Sequence, residues 1–177
     1  MKKKTLALVL ALTLLVAGIV GGTLAWLTDQ TAEVKNTFTV GDINIGLTET
    51  TTDYKMVPGN TIAKDPTVTV KANSEACWLF VQVTESTDLK DFITYAIAEG
   101  WTALPGVDGV YYREVPASAA DQTFSVLADD AVTVKSDVTR TMLETAKTDA
   151  PTLTFQAYAV QKDNVASASD AWAKVNP

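Results

Sequence analysis

The sequence predicts an all-β protein, a jelly-roll-like β-sandwich with two short peripheral helices, and three observations lead to that class. Beyond residue 40 the apolar residues recur mainly with period two, in short runs separated by Pro, Gly, Asn and Asp. Only two stretches carry a helical period. One cysteine in 177 residues rules out an intrachain disulfide, so packing alone must hold the fold. Many short strands around one core imply two packed sheets.

The chain begins with Lys2, Lys3 and Lys4, followed by an uncharged Leu/Val/Ala/Gly-rich run over residues 5–28. A basic start, an apolar middle from Leu6 to about Ala17, and small residues at Thr23 and Ala25 are the three parts of a secretory signal. Cleavage after Ala25 would leave Trp26 as the first mature residue. A retained anchor is the competing reading, since about 20 apolar residues span a bilayer. Gly18, Gly21 and Gly22 interrupt the run and favour cleavage. The expected organisation is a signal peptide over 1–25, an amino-terminal arm over 26–40 and a jelly-roll domain over 41–177.

Behind the cleavage site Val34, Phe38 and Val40 occupy one parity, and Ile43, Ile45 and Leu47 the other. A change of phase across Gly41-Asp42 requires a bulge or turn, because otherwise one apolar set would face water. On pattern alone, two strands of one domain explain this. The alternative is that residues 26–40 add a strand to a neighbouring subunit.

Val57-Pro58-Gly59-Asn60 has the order of a type II turn. Val68, Val70 and Ala72 alternate with Thr67, Thr69 and Lys71 in a half-buried strand. Cys77 to Thr84 starts apolar on both faces, as a central strand does. Its neighbours Trp78, Leu79, Phe80 and Val81 make Cys77 a buried, inert thiol. Further strands are expected over 93–98, 110–115, 123–127 and 131–135. Leu153, Phe155, Ala157 and Ala159 alternate with Thr154, Gln156 and Tyr158 in a last strand. Val138, Met142, Leu143 and Ala146 share one helical face, and Ala168, Ala171, Trp172 and Val175 another, with Ser167 and Asp170 spaced as a capping box.

Composition excludes several chemistries. There is no histidine, which removes Ser-His-Asp and Cys-His nucleophiles, His-liganded zinc and HExxH helices. Asp129-Asp130 and Asp163-Asn164 lie in turn-like contexts and no DxDxDG loop is present, so neither catalytic residues nor a metal or other cofactor are assigned. No glycine-rich nucleotide loop follows a strand. Without Lys2, Lys3 and Lys4, 11 of the 14 basic residues remain against all 21 acidic ones, a net charge of −10. Such a surface repels nucleic acid. No apolar stretch precedes Asn176-Pro177, so no carboxy-terminal sorting tail is expected.

The order of features resembles the TasA/camelysin family of Gram-positive secreted proteins. The resemblance rests on the block from Gly21 to Asp29 (Gly-Gly-Thr-Leu-Ala-Trp-Leu-Thr-Asp) and on Asn36-Thr37-Phe38-Thr39-Val40-Gly41-Asp42-Ile43-Asn44-Ile45. It continues through Met56 to Asn60, Asp65 to Lys71, Gly100-Trp101 with Tyr111-Tyr112, and Ala157 to Gln161 with Ala171-Trp172. It implies a SipW-type signal peptidase cutting between Ala25 and Trp26, and a jelly-roll subunit of extracellular biofilm-matrix fibres. It also implies that the mature amino-terminal segment, through Trp26, Val34, Phe38 and Val40, enters the next subunit as a donor strand. Such a contact does not close and so propagates into a filament. The partner is then an identical subunit, head to tail, or an accessory matrix protein. The alternatives are a monomeric cell-surface adhesion or binding module of the same fold, and a metal-dependent endopeptidase as the camelysin label implies. The last gains no support from a chain without histidine.

Overall fold

Alternating apolar and polar residues build the chain into antiparallel sheets. The computed structural model describes residues 41–51 and 54–175. Its strands are β1 (Ile45–Thr48), β2 (Thr61–Ala63), β3 (Thr67–Val70), β4 (Cys77–Glu85), β5 (Ile93–Thr94), β6 (Thr102–Ala103), β7 (Val110–Val115), β8 (Gln122–Ser125), β9 (Ala131–Val134) and β10 (Leu153–Gln161). The helices are α1 (Leu89–Phe92), α2 (Arg140–Ala146) and α3 (Ala168–Val175), with a 3-10 turn at Ala128–Asp130. The cleavage site at Ala25 and Trp26 and the arm residues Val34, Phe38 and Val40 lie outside the described residues.

One layer has the strand order β10-β4-β7-β6. The other consists of two pieces, β1-β3-β8 and β2-β9-β5. Backbone hydrogen bonds from Lys64 N–H to the Asp130 carbonyl (2.7 Å) and from Val126 N–H to the Pro66 carbonyl (2.9 Å) carry the pairing across the bends between β2 and β3 and between β8 and β9. These two pieces therefore form one bent layer. The expected all-β sandwich results.

The central position of β4 follows from its composition. Cys77, Leu79, Val81 and Val83 face Val68, Val70, Val115 and Val126 between the layers. Trp78 and Phe80, of opposite parity, pack with Ala168, Ala171 and Trp172 of α3 on the outer face. A strand apolar on both faces can sit only where both are covered. Burial pushes the Cys77 thiol up to about 11, so it stays protonated and inert, as its neighbours indicated.

Both expected helices form. Thr139 caps α2 by accepting from the Met142 N–H at 3.3 Å. Ser167 precedes α3 and accepts from the Asp170 N–H at 3.1 Å. The Val57–Asn60 turn closes with an Asn60 N–H to Val57 carbonyl bond of 3.0 Å, with Gly59 at φ 81 as type II requires.

Expectation and structure differ over residues 93–98. The strand there pairs with β9 only at Ile93–Thr94, then meets the other piece through a bridge from Ile97 to Leu127 and an Ala98 N–H to Val126 carbonyl bond of 2.9 Å. Its partner bends at Val126–Asp130, where Asp129 and Asp130 both have positive φ, so no straight strand can follow it. The short elements β2, β6 and α1 have no periodicity long enough to announce them.

Gly109 has φ +74, and a Cβ there would lie 2.5 Å from the Val83 carbonyl oxygen. That carbonyl is main chain of the central strand and cannot turn aside. Gly59 has φ +81 but nothing within 4 Å of its Cβ position. Gly59→Ala should therefore cost about 1–2 kcal/mol, the left-handed penalty alone. Gly109→Ala should cost clearly more in urea unfolding, and equal losses would show that the β4 approach is not tight.

Candidate assembly surface

β1 and β10 are the outer strands of the two layers on one side of the sandwich, among the described residues. β10 is nine residues long, contains no charged residue and no proline, and pairs with β4 along its whole length from Leu153 opposite Glu85 to Gln161 opposite Cys77. Its other edge leaves main-chain groups without a strand partner among the described residues. Edge strands are ordinarily blunted by charge, proline or a bulge, and β10 has none of the first two.

Where β1 and β10 diverge, a groove opens between the layers. One cavity, of about 380 Å³, lies between Leu47, Thr48 and Glu49 on one wall and Leu153, Thr154 and Phe155 on the other. An adjoining cavity of about 460 Å³ shares Lys64, Leu153 and Thr154 and extends to Met56, Ile62 and Val132. The second cavity is lined mainly by apolar side chains, whereas in the first Thr48, Glu49, Lys64 and Thr154 balance Leu47, Pro66, Leu153 and Phe155. Volumes of this size accommodate large side chains.

Lys64 stands between the two cavities. It is only 6% exposed, and its Nζ donates to Glu49 Oε1 at 2.6 Å. The Tyr54 ring lies 4.7 Å and the Phe155 ring 5.3 Å from the ammonium. Tyr54 Oη donates to the same Glu49 oxygen at 2.7 Å. Burial, and then the Glu49 carboxylate, raise the Tyr54 phenol above its ordinary range. The cation is thus paired and flanked by rings, which makes its burial tolerable. Nothing in the sequence marked this pair, because its members are 15 residues apart and meet through the pairing of β1 with β3.

Next to it, Asp65 accepts from the Thr50 N–H at 2.9 Å and from the Thr50 hydroxyl. Asp121 accepts from the Ala72 N–H at 2.8 Å and from Lys71 Nζ at 3.1 Å. Hydrogen bonds to the ionised form hold both carboxyls below the ordinary value of 3.8.

The chain enters the described region along β1. Glu75 N–H donates to the Asp42 carbonyl at 3.0 Å, and Lys71 N–H to the Asn44 carbonyl at 2.8 Å, so residues 42–44 are tied beside the turn after β3. Ile43, Ile45 and Leu47 pack against the interlayer core, as their shared parity predicted. Among the described residues no group of three or more His, Cys, Asp or Glu side chains could hold a metal ion. The side chains there therefore do not fit a metal centre. Nor, among those residues, is any helix long and apolar enough to cross a membrane.

Comparison with known families places these features. The model of the family described as camelysin metallo-endopeptidase matches residues 1–88. Over that span the chain is similar to the TasA/camelysin family. The match takes in residues 1–40 and β1 to β4, and stops before β5 to β10. No curated protein and no solved structure matches the chain. The sequence resemblance is thus supported for the amino-terminal half, and the edge strand β10 lies beyond the matched span.

Two outcomes test the chemistry of the groove. Glu49→Gln leaves a buried ammonium without its counter-ion and should destabilise by about 2–4 kcal/mol in urea unfolding, whereas Glu49→Gln with Lys64→Met should recover most of that loss. A carboxyl whose pKa is lower in the folded chain contributes stability above its ordinary value and loses it as pH falls through the folded value. Asp65 and Asp121 should therefore contribute at neutral pH and lose that contribution below about pH 4. In Asp65→Asn with Asp121→Asn, the midpoint of thermal unfolding should fall less between pH 5 and pH 2 than in the wild type; identical falls would contradict this.

Proposed function

We propose that this chain is a secreted structural subunit that polymerises into extracellular fibres of a biofilm matrix by donating its mature amino-terminal strand to the next subunit. The observation that carries the reading is the nine-residue edge of β10, uncharged and free of proline, beside an apolar groove. An edge of that kind is a template for an added strand. The arm over 26–40 offers the complement, since Val34, Phe38 and Val40 share a parity and could enter the groove together. Main-chain hydrogen bonds would supply the affinity, and the apolar side chains the register. The similarity of residues 1–88 to the TasA/camelysin family supports the same reading.

In this proposal the signal peptide is removed between Ala25 and Trp26 by a SipW-type peptidase, and the product is extracellular. Residues 41–177 then form the acceptor domain. The partner is a second copy, head to tail, and an accessory matrix protein could occupy the same edge. The endopeptidase activity in the family description finds no support in the donor set described above.

Electron microscopy of protein beginning at Trp26, beside the same protein with a few residues added ahead of Trp26, tests the proposal. Filaments should form only from the free terminus. Phe38→Asp in the arm and Gln156→Lys on the β10 edge should each abolish filaments while leaving the unfolding midpoint of the monomer unchanged. Dispersed particles from all forms would instead favour the monomeric adhesion module.

A further inference from the structure

The two ends of the β10 edge are not equivalent. Glu75 N–H donates to the Asp42 carbonyl, and Lys162 N–H, one residue past β10, donates to the Ala76 carbonyl at 2.8 Å. Gly41 lies against Glu75, whose Cγ would be 2.8 Å from a Cβ there. Residues 41–44 are therefore at the Gln161 end of β10, where Gln161 pairs with Cys77. Both cavities of the groove are at the other end, beside Leu153 and Thr154. β1 runs from the first end to the second, from Ile45 opposite Val70 to Thr48 opposite Thr67, and β10 runs the opposite way.

This asymmetry ties the direction of an added strand to the kind of assembly it makes. The arm over 26–40 is joined to the domain at Gly41, so its last residue belongs to the Gln161 end of the copy that donates it. A strand antiparallel to the acceptor's β10 brings Val40 to the acceptor's Leu153 end. Unlike ends of two copies then meet, and a head-to-tail contact of that kind repeats from copy to copy. A parallel strand brings Val40 to the acceptor's Gln161 end, so that like ends meet about a two-fold axis and the pair closes.

Packing favours the antiparallel direction as well. With Val40 opposite Leu153, Phe38 falls opposite Phe155 and Val34 opposite Ala159. Leu153, Phe155 and Ala159 pack against the interlayer core, the parity that the arm's apolar set must share. The largest of the arm side chains then meets a second ring at the wall of the first cavity, and a smaller one meets an alanine. The parallel direction reverses this, setting Phe38 against Ala159 at the end away from both cavities. Residues 32–40 suffice to cover the nine residues of β10.

We propose that the donated strand runs antiparallel to β10 of the acceptor copy, with Val40 opposite Leu153 and Phe38 against Phe155, and that this polarity makes the assembly an open filament instead of a closed dimer. The inference rests on the strand-donation reading and names the partner residues that each arm residue meets.

Disulfide trapping in protein beginning at Trp26 tests it. Cys77 is buried and its thiol is pushed up to about 11, so introduced cysteines report alone. Thr154 is exposed; its partner is Thr39 in the antiparallel pairing and Glu33 in the parallel one. Thr39→Cys with Thr154→Cys should give a ladder of linked oligomers on mild oxidation, because residues directly opposed on paired strands lie within the reach of a disulfide. Thr37→Cys with Gln156→Cys, two positions along, should link in the same way. Glu33→Cys with Thr154→Cys should stay at monomer size, and every variant should form filaments when reduced. Linkage from Glu33, or filaments in which neither the Thr39 nor the Thr37 pair links, would overturn the polarity and register while leaving strand donation standing. Absence of filaments from wild type and reduced variants alike would overturn strand donation itself, and the polarity with it.

Discussion

The two-sided burial of β4 is the constraint on which the rest of the structure depends. Cys77, Leu79, Val81 and Val83 supply one wall of the interlayer core, and Trp78 and Phe80 supply the seat for α3. Each large apolar side chain so buried contributes roughly 1.5–3 kcal/mol. One cysteine leaves no covalent staple, and β7 and β10, which also send residues into both cores, do so as the strands paired on either side of β4. The long ladders to β10 and β7 follow, because a strand with both faces covered must also have both edges paired.

Centring β4 pushes β10 to the margin of its sheet, and the fold then has two seams where its layers part. The cations at these seams are treated differently. Lys64 meets one carboxylate and the rings of Tyr54 and Phe155, so its charge is neutralised within the chain. Among the described residues Arg113 meets two rings and forms no ion pair.

The family description carries an enzymatic name, and the physical content of this chain bears on it directly. Metallopeptidases place several donor side chains around one ion and keep a position open for water. Histidine is absent from the whole sequence, and the acidic residues of the described region do not gather in threes. The acids with lowered pKa values, Asp65 and Asp121, use their oxygens on neighbouring main-chain and side-chain donors. Their role there is to fix local backbone.

Sequence by itself determined the strands with sustained alternation, the two helical faces, the Val57–Asn60 turn and the inertness of Cys77. These follow from local periodicity, and from backbone preferences that act within a few residues. The lack of charge in Leu153–Gln161 was equally legible, yet only its position at the margin of a sheet gives that composition meaning. Tertiary structure alone decided the break after Ile93–Thr94, the meeting of Glu49 with Lys64 and the clamping of Arg113 by Trp101 and Phe124. These depend on which strands become neighbours, and pairing between strands distant in sequence is fixed by the burial of the whole core, which no local pattern encodes.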